Sequence, residues 1–242
     1  MDLLNLESDN LIDAAPSAAA NNKIDKTGAP RTMLYDFIAI EGNIGAGKTS
    51  LATMISEQFG AKLILEQFEE NLFLTKFYEN PDKYAFTVEL SFLAERYQQL
   101  TNHLSNRDLF ASFTISDYFF NKCLIFAKAN LKDDEFSLYN KLFSIIQSQL
   151  PKPDLLVYLY LDIDRLKFNI KKRGREFEQN IAPQYLEKVQ QNYFDYIRQQ
   201  QQQRTLIIDV NNIDFVSNPE HYETILNAIN KAYPVGINRL IL

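Results

Sequence analysis

The sequence predicts an α/β protein with a parallel sheet of five strands flanked by helices, and two observations carry this prediction. From residue 33 onward, short β-branched or aromatic runs alternate with longer segments whose apolar residues recur at helical spacing, the pattern of successive βαβ units. The first of these runs leads directly into a glycine-rich loop and then into a helical pattern, the order in which a phosphate-binding loop is built. A phosphate site at the carboxyl ends of parallel strands is therefore expected.

The individual elements follow from the same alternation. The predicted strands lie at residues 34–40, 62–65, 112–116, 155–161 and 205–210. The predicted helices lie at about 48–58, 83–104, 118–130, 135–149, 163–173, 183–203 and 219–232. Because no change in composition marks a boundary, residues 33–242 are expected to form one domain. Residues 1–32 have few regularly spaced large apolar side chains and are expected to be a disordered tail, or to lie upstream of a true start at Met33.

Composition excludes several classes of protein. The net charge of −6 argues against a general nucleic-acid binder, which needs clustered Lys and Arg. With one cysteine, Cys123, and two separated histidines, His103 and His221, neither an internal disulfide nor a histidine-rich metal cluster is expected. The longest uninterrupted apolar stretch, 155–161, is far shorter than the ~20 residues that span a bilayer. We therefore expect a cytoplasmic protein with no membrane or nucleic-acid partner.

The glycine-rich loop has the G-x-x-x-x-G-K-[ST] pattern that binds nucleoside triphosphates. Glycines let backbone N–H groups surround the phosphates, Lys48 adds a positive charge, and the Thr49 hydroxyl is suited to a magnesium ion. The alternative is a glycine-rich turn with a chance Lys-Thr, but the flanking strand and helix patterns favour the phosphate site. The predicted ATP-binding loop consists of Gly42, Asn43, Ile44, Gly45, Ala46, Gly47, Lys48 and Thr49.

Two acidic residues end neighbouring strands and are therefore expected near the phosphates. Glu66 follows the second strand, where a carboxylate could accept the proton of an attacking hydroxyl; a solvated Glu at a strand end is the alternative. Asp117 follows the third strand and is a candidate second magnesium-side group beside Thr49. Asp is also a preferred helix N-cap, so capping is an alternative or additional role for Asp117.

A basic cluster ends the predicted helix 163–173. Cations at a helix C-terminus are favoured by the helix dipole, which is the simpler explanation. A glycine between Arg173 and Arg175, in a polar loop between two helices, instead indicates a short mobile lid that brings both guanidinium groups onto the phosphates. Together with Lys48, these arginines are the predicted cationic catalytic residues.

The segment 66–96 is expected to bind the acceptor, and its charge indicates what kind. It holds seven acids and three bases, whereas a nucleoside monophosphate would need cations to offset its own phosphate, so an uncharged acceptor fits better. Glu89 and Arg96 are seven residues apart on one predicted helix and therefore share a face. They could read the edge of a base together, or they could be an ordinary surface pair.

Taken together, these residues resemble the deoxycytidine/deoxyguanosine kinase family of deoxynucleoside kinases, particularly its bacterial members. The resemblance covers about residues 33–215. Of the motifs that carry it, only the first, Gly42–Thr49, is specific on its own. The resemblance rests on Gly42–Thr49, Glu66, Phe77-Tyr78-Glu79-Asn80-Pro81, Lys83-Tyr84-Ala85-Phe86, Arg173-Gly174-Arg175 with Glu178-Gln179, and Asp209-Val210-Asn211.

The resemblance implies a P-loop kinase fold and transfer of the γ-phosphoryl group of ATP, with Mg2+, to the 5′-hydroxyl of a deoxynucleoside. Glu66 matches the family's general base, Tyr78 its contact to the sugar 3′-hydroxyl, and Arg96 the arginine near the base. Arg173 and Arg175 match the lid arginines, and the loop at Asp209, Val210 and Asn211 would lie against the adenine of ATP. A homodimer is also implied, formed through helices beside the acceptor site, for which an exposed Phe/Tyr-rich face on 83–104 or 118–130 would be suitable.

Three positions depart from the family pattern. Where an acid-Arg-Ser triplet is usual, this chain has Asp117-Tyr118-Phe119, so the arginine is missing and Lys122 is a candidate replacement. Asn169 stands at the position of the first lid arginine. Glu89 stands where the family has a base-reading glutamine; because an ionised Glu only accepts hydrogen bonds, it favours the adjacent N1–H and N2–H donors of guanine. A purine acceptor, deoxyguanosine or deoxyadenosine, is expected.

Two other functions remain compatible with the motifs. A nucleoside monophosphate kinase of the thymidylate kinase type shares the P-loop and the lid, but it needs an arginine-rich monophosphate site that 66–96 lacks. A P-loop protein that binds nucleotide only to regulate a partner is the other alternative, because the arginine after Asp117 is missing.

Overall fold

The computed structural model describes residues 10–11, 32–68, 71–104 and 111–242. Most of the predicted tail, residues 1–9 and 12–31, lies outside the described residues, as do residues 69–70 and 105–110. Of residues 10–11 only the backbone is described.

The described chain is built on one parallel sheet of seven strands in the order β1-β7-β6-β5-β2-β4-β3. In chain order the strands are β1 (Asn10–Leu11), β2 (Phe37–Gly42), β3 (Lys62–Ile64), β4 (Thr114–Ser116), β5 (Leu155–Tyr160), β6 (Arg204–Asp209) and β7 (Gly236–Ile241). The predicted α/β class and parallel sheet are confirmed. The five predicted strands are β2 to β6, and the sheet extends beyond them by two strands.

Strand β7 was not predicted, because its sequence is polar at its centre. Asn238 and Arg239 occupy consecutive positions, and both side chains are buried. The amide Nδ2 of Asn238 donates to the carbonyl oxygen of Thr205 on β6 at 3.2 Å and to that of Pro234 at 3.1 Å, which satisfies its donors inside the protein. The strand therefore lacks the apolar run by which buried parallel strands are recognised.

The helices lie on both faces of the sheet. They are α1 (Lys48–Phe59), α2 (Leu74–Glu79), α3 (Pro81–Leu104), α4 (Lys122–Asn130), α5 (Asp133–Gln147), α6 (Ile163–Arg173), α7 (Pro183–Gln199) and α8 (Pro219–Ile229), with a 3₁₀ turn at Glu176–Glu178. The short helix α2 was not predicted. Helix α4 begins four residues later than predicted, and the backbone N–H of Phe119, just before it, donates to a buried carboxylate.

The central strand β5 shows how the two faces are filled, since it is buried at every position. Leu155, Val157 and Leu159 face the cluster formed with α1, α6 and α8. Leu156, Tyr158 and Tyr160 face the cluster formed with α4 and α7. With both faces covered, the carboxyl edge of the sheet is where polar groups can gather around a ligand.

Apolar surface is limited on the helices beside the acceptor region. Among the described residues, the large apolar side chains left exposed include Leu90 on α3 and none on α4, whereas α5 exposes Leu138 and Ile145. The expected exposed Phe/Tyr-rich face on 83–104 or 118–130 is therefore absent from the described part of those helices. Among all the residues that the structure describes, no helix has both the length and the apolar character to cross a bilayer.

Candidate active site

The loop between β2 and α1 has the backbone geometry of a phosphate cradle. Gly45 and Gly47 have φ values of 85° and 88°, a region in which a side chain is strained. A Cβ atom at Gly47 would lie 2.7 Å from Cζ of Phe215, so glycine is required sterically as well. Beneath the loop, Nδ2 of the buried Asn43 donates to the Leu186 carbonyl at 2.8 Å and anchors the loop to α7. The cradle is therefore held in shape by its own backbone and by α7.

Two strand ends meet beside this loop through Asp117. One of its oxygens accepts from Thr49 Oγ1 at 2.5 Å, and the other accepts from the backbone N–H of Glu66 at 2.8 Å. Because α4 begins only at Lys122, the alternative that Asp117 caps this helix is wrong. Asp117 instead connects the P-loop with the segment that carries Glu66.

Glu66 lies between two cations from different helices. Arg96 Nη2 on α3 is 2.6 Å from Glu66 Oε1, and Lys122 Nζ on α4 is 2.5 Å from Oε2. Burial alone would raise the pKa of Glu66, but ion pairing with Lys122 and Arg96 outweighs burial and holds the pKa well below its usual range. Glu66 is therefore ionised at neutral pH, and the alternative of a solvated strand-end Glu is wrong because its side chain is only 12% exposed.

Glu89 is also buried, but its pairing is different. Its Oε1 accepts from Asn130 Nδ2 at 2.6 Å, whereas Oε2 has no hydrogen-bond partner among the described residues. Burial raises the pKa of Glu89 to about 7, against the opposing effects of Asn130 and Arg96. Glu89 and Arg96 face the protein interior, so the alternative of a surface pair is wrong.

A wide cavity of about 690 Å³ lies on one side of the P-loop. It is lined by the loop, by α6 residues that include Phe168 and Asn169, and by the segment 213–216 after β6. Of the three residues expected near adenine, Val210 lines this cavity. The other two hold the loop together: Asp209 accepts from Asn211 at 3.0 Å, and Asn211 Oδ1 accepts from the backbone N–H of Asp162 at 2.9 Å. We call this space the donor cavity.

A smaller cavity of about 100 Å³ lies on the other side of the P-loop. All four residues expected to bind the acceptor line it: Glu66, Tyr78, Glu89 and Arg96. Phe68, Phe92 and Phe126 add apolar walls. We call this space the acceptor cavity.

The two cavities meet at one place. Gly45, Lys48, Thr49, Arg173 and Arg175 line both of them. Desolvation, together with the neighbouring positive charge of Lys122, lowers the pKa of Lys48 to about 8. A site with several cations at the junction of two cavities is suited to a transferring phosphoryl group.

The predicted lid lies partly over the acceptor cavity. Arg173 and Arg175 on either side of Gly174 both pair with the buried Glu178, and Arg175 also stacks on Phe68 with its guanidinium 4.0 Å from the ring centre. The ring of Phe177 stacks on Tyr78 at 5.8 Å. These contacts explain why the acceptor cavity is smaller than the ~300 Å³ or more of most small-molecule pockets.

Sequence reasoning missed two residues of this region. Glu41, at the end of β2, is fully buried and accepts from Tyr193 Oη at 2.7 Å and from the backbone N–H of Phe119 at 2.9 Å. Its signal was available, since an acid inside an apolar strand beside a P-loop is unusual. Asn130 had no such signal, because a single Asn at the end of a helix is ordinary.

The fold and the two cavities define a P-loop phosphotransferase, and comparisons with known proteins specify its class. The family model described as Deoxynucleoside kinase matches residues 38–233. A deoxyguanosine kinase of Bacillus subtilis is 39% identical over 193 residues, covering 78% of this chain and 93% of the relative. A deoxyadenosine kinase of Lactobacillus acidophilus is 27% identical over 212 residues, covering 82% of this chain and 96% of the relative.

A solved structure gives the same result. The deoxyadenosine kinase from M. mycoides with bound dATP has a TM-score of 0.70 and 26% identity, covering 81% of this chain and all of that chain. The chain therefore belongs to the deoxynucleoside kinase family. It is an enzyme that phosphorylates a deoxynucleoside at the expense of ATP, and none of the relatives named here favours the thymidylate kinase alternative or a purely regulatory role.

Proposed function

We propose that the enzyme transfers the γ-phosphoryl group of ATP to the 5′-hydroxyl of a purine deoxynucleoside. The observation that carries this proposal is the junction of the two cavities, where Lys48 and the lid arginines face both spaces while Glu66 faces only the acceptor cavity. ATP in the donor cavity and a nucleoside in the acceptor cavity would place the γ-phosphate and the hydroxyl at this junction. Reacting groups held this way need mainly positioning and charge stabilisation.

Glu66 is proposed as the general base. It is ionised, buried and adjacent to the junction, so it can accept the hydrogen bond of the attacking hydroxyl and later its proton. A carboxylate with a low pKa takes up a proton only when the hydroxyl becomes strongly acidic. This timing fits a loose transition state, in which bond formation to the acceptor is late.

Thr49 and Asp117 are proposed to hold magnesium. Their hydroxyl and carboxylate are hard oxygen donors 2.5 Å apart beside the P-loop, and magnesium needs few protein ligands when it binds with a triphosphate. When bound, the ion would neutralise negative charge on the triphosphate. Thr49 and Asp117 would determine where the positive charge of the ion lies.

Lys122 is proposed to supply the positive charge of the arginine missing after Asp117. Its ammonium lines the acceptor cavity and contacts Glu66, and its side chain is only 7% exposed. Its charge also acts on Lys48, and the carboxylates of Glu41 and Glu66 act on both ammonium groups. A phosphoryl group and the acceptor oxygen would add negative charge beside these two cations.

A purine is proposed as the base of the acceptor. Relatives 39% and 27% identical are named as deoxyguanosine and deoxyadenosine kinases. Within the acceptor cavity, Glu89 offers carboxylate oxygens at the position expected to read the base, and Arg96 provides a donor. An ionised Glu89 favours guanine, whose N1–H and N2–H are adjacent donors.

One assay tests the proposal. The purified protein would be incubated with ATP, magnesium and each of the four deoxynucleosides, with dTMP as a phosphorylated acceptor, and the products would be separated by chromatography. Purine deoxynucleoside monophosphates are expected. Turnover of a pyrimidine deoxynucleoside at a higher kcat/KM would contradict the purine assignment, and phosphorylation of dTMP alone would contradict the acceptor class.

We further propose a cytoplasmic homodimer, as the family resemblance implies. The exposed Leu138 and Ile145 are seven residues apart and therefore share a face of α5, which lies beside α3 and α4. Light scattering during gel filtration is expected to give twice the mass of one chain, and a monomer at micromolar concentration would contradict the dimer.

A further inference from the structure

The base-reading end of the acceptor cavity has a carboxyl group whose two oxygens differ. Oε1 of Glu89 accepts a 2.6 Å hydrogen bond from Asn130, but Oε2 is buried without a partner among the described residues. Both residues line the acceptor cavity. An unpartnered buried carboxylate oxygen is costly, so its presence beside a cavity indicates that a ligand supplies the missing partner.

Cations do not neutralise this oxygen directly. Arg96 donates to Glu66 and to Cys123 Sγ, at 2.6 and 3.2 Å, and Lys122 also pairs with Glu66. Asn130 itself is held from α7, since Tyr185 makes a hydrogen bond with its amide. The titratable groups that act on Glu89 or feel its charge are Glu66, Tyr78, Arg96, Lys122, Cys123, Tyr139 and Tyr185.

We propose that Asn130 is the positioning residue for base recognition: by occupying Oε1, it directs Oε2 of Glu89 to the base and makes Oε2 the atom that gains or loses the proton. This inference rests on the proposed purine deoxynucleoside kinase function. Ionised, Oε2 accepts from N1–H of guanine; protonated, the same atom donates to N1 of adenine. One side chain therefore reads two purines, according to its protonation.

The pH dependence has a definite sign. Because burial raises the pKa of Glu89 to about 7, the acid form dominates below neutrality and the carboxylate above it. The ratio of kcat/KM for deoxyguanosine to kcat/KM for deoxyadenosine should therefore rise with pH through about 7. Deoxyinosine, which has N1–H but no 2-amino group, should follow deoxyguanosine.

The test is the substitution Asn130→Leu, with the ratio of kcat/KM measured from about pH 6 to about pH 8.5. Guanine and adenine do not change protonation in this range. Without the amide donor, the buried carboxylate loses its stabilising hydrogen bond, so the pH midpoint of each kcat/KM profile should move up by about one unit, and the ratio at neutral pH should fall by about tenfold. Asn130→Ala should shift it in the same direction. Asn140→Asp on the exposed side of α5 is the control and should leave the profile unchanged.

The substitution Glu89→Gln identifies the titrating group. Because glutamine does not ionise, the ratio of kcat/KM for the two purines should be independent of pH in this variant. A Glu89→Gln enzyme that keeps the wild-type pH profile, or an Asn130→Leu enzyme with the wild-type midpoint, would overturn the proposal. If Asn130→Leu does not fold, the Asn130→Ala midpoint and the carboxyl C=O stretch in infrared difference spectra give the same answer. Activity with neither purine would instead contradict the proposed function itself.

Discussion

The donor and acceptor cavities of this kinase are built in different ways. The donor cavity is shaped by backbone, with glycines at positive φ, and most of its cations project from α6 and the loop that follows it. The acceptor cavity is shaped by buried side chains, with Glu66, Arg96 and Lys122 brought together from three separate elements. The proposed ATP site thus depends on local chain geometry, whereas the proposed deoxynucleoside site depends on a tertiary network.

The largest test of this contrast is Glu66→Gln. Loss of the base should lower kcat by about 10²–10⁴-fold, while deoxynucleoside binding stays measurable by calorimetry because the amide is nearly isosteric. Glu79→Gln, an exposed change on α2, is the matched control and should leave kcat unchanged. Residual kcat above about a tenth of wild type would remove Glu66 from the role of base.

Lys122→Met should have the next largest effect. It removes a cation from the reacting oxygens and leaves Glu66 with Arg96 alone, so kcat should fall by about 10²–10³-fold and the pKa of Glu66 should rise. Lys128→Met, on the same helix but with a side chain 48% exposed, should behave as wild type in steady-state assays. Recovery of activity in Lys122→Arg would show that the charge matters, and wild-type kcat in Lys122→Met would exclude Lys122 from the reaction.

The buried Glu89 in the acceptor cavity should also lower the free energy of unfolding at high pH. The pKa of Glu89 is raised to about 7, so the folded state binds a proton more tightly than the unfolded state, and stability falls as pH rises from about 4.5 to 7. Glu89→Gln removes this cost, which amounts to about 3 kcal/mol above neutrality. Denaturant unfolding at pH 5 and pH 8 should show a much larger gain at about pH 8 than at about pH 5. The exposed Glu187→Gln should give no such difference, and an equal gain at both pH values would contradict the prediction.

On the donor side, Gly47→Ala should act through geometry. The added Cβ would lie 2.7 Å from Phe215, which lines the donor cavity, so the KM for ATP should rise by about tenfold while that for the deoxynucleoside changes little. Gly60→Ala also places a residue at positive φ but meets no atom within 4 Å, so it separates backbone strain from the clash. Equal rises in both KM values would show that the cavities are not independent.

The smallest effect is expected from Tyr78→Phe. If its hydroxyl binds the sugar 3′-hydroxyl, its loss removes one hydrogen bond, and the KM for the deoxynucleoside should rise by about two- to tenfold. A 3′-deoxy substrate should bind wild type and variant equally. Tyr84→Phe, which lies outside both cavities, is the control. A difference that persists with the 3′-deoxy substrate would place the Tyr78 hydroxyl elsewhere.

The same contrast explains what the sequence could predict. Gly42–Thr49 was recognisable because a phosphate cradle is a contiguous segment, and Glu66 and Asp117 were recognisable because parallel strand ends meet at one edge. Both rules concern backbone and topology. They therefore predicted the phosphate-binding loop and the two acids at the neighbouring strand ends.

The partners within the acceptor cavity depend on packing across distant elements. Asn130 is 41 residues from Glu89 and contacts it only because α4 packs on α3. The sequence marked Glu41 as unusual but could not predict its partner for the same reason, since Tyr193 on α7 is 152 residues away. Strand β7 was missed because the polar residues Asn238 and Arg239 are buried at its centre, which no apolar pattern reveals.

The reactivity of Cys123 can be used to measure opening of the region beside the acceptor cavity. Cys123 is the single thiol of the chain, it is fully buried, and its Sγ accepts from Arg96 Nη1 at 3.2 Å. Burial raises the pKa of this thiol, so a thiol reagent reacts with it only when the surrounding helices separate. The labelling rate of the unmodified protein thus measures how often this region opens, and a nucleoside that holds Arg96 in place should slow the labelling.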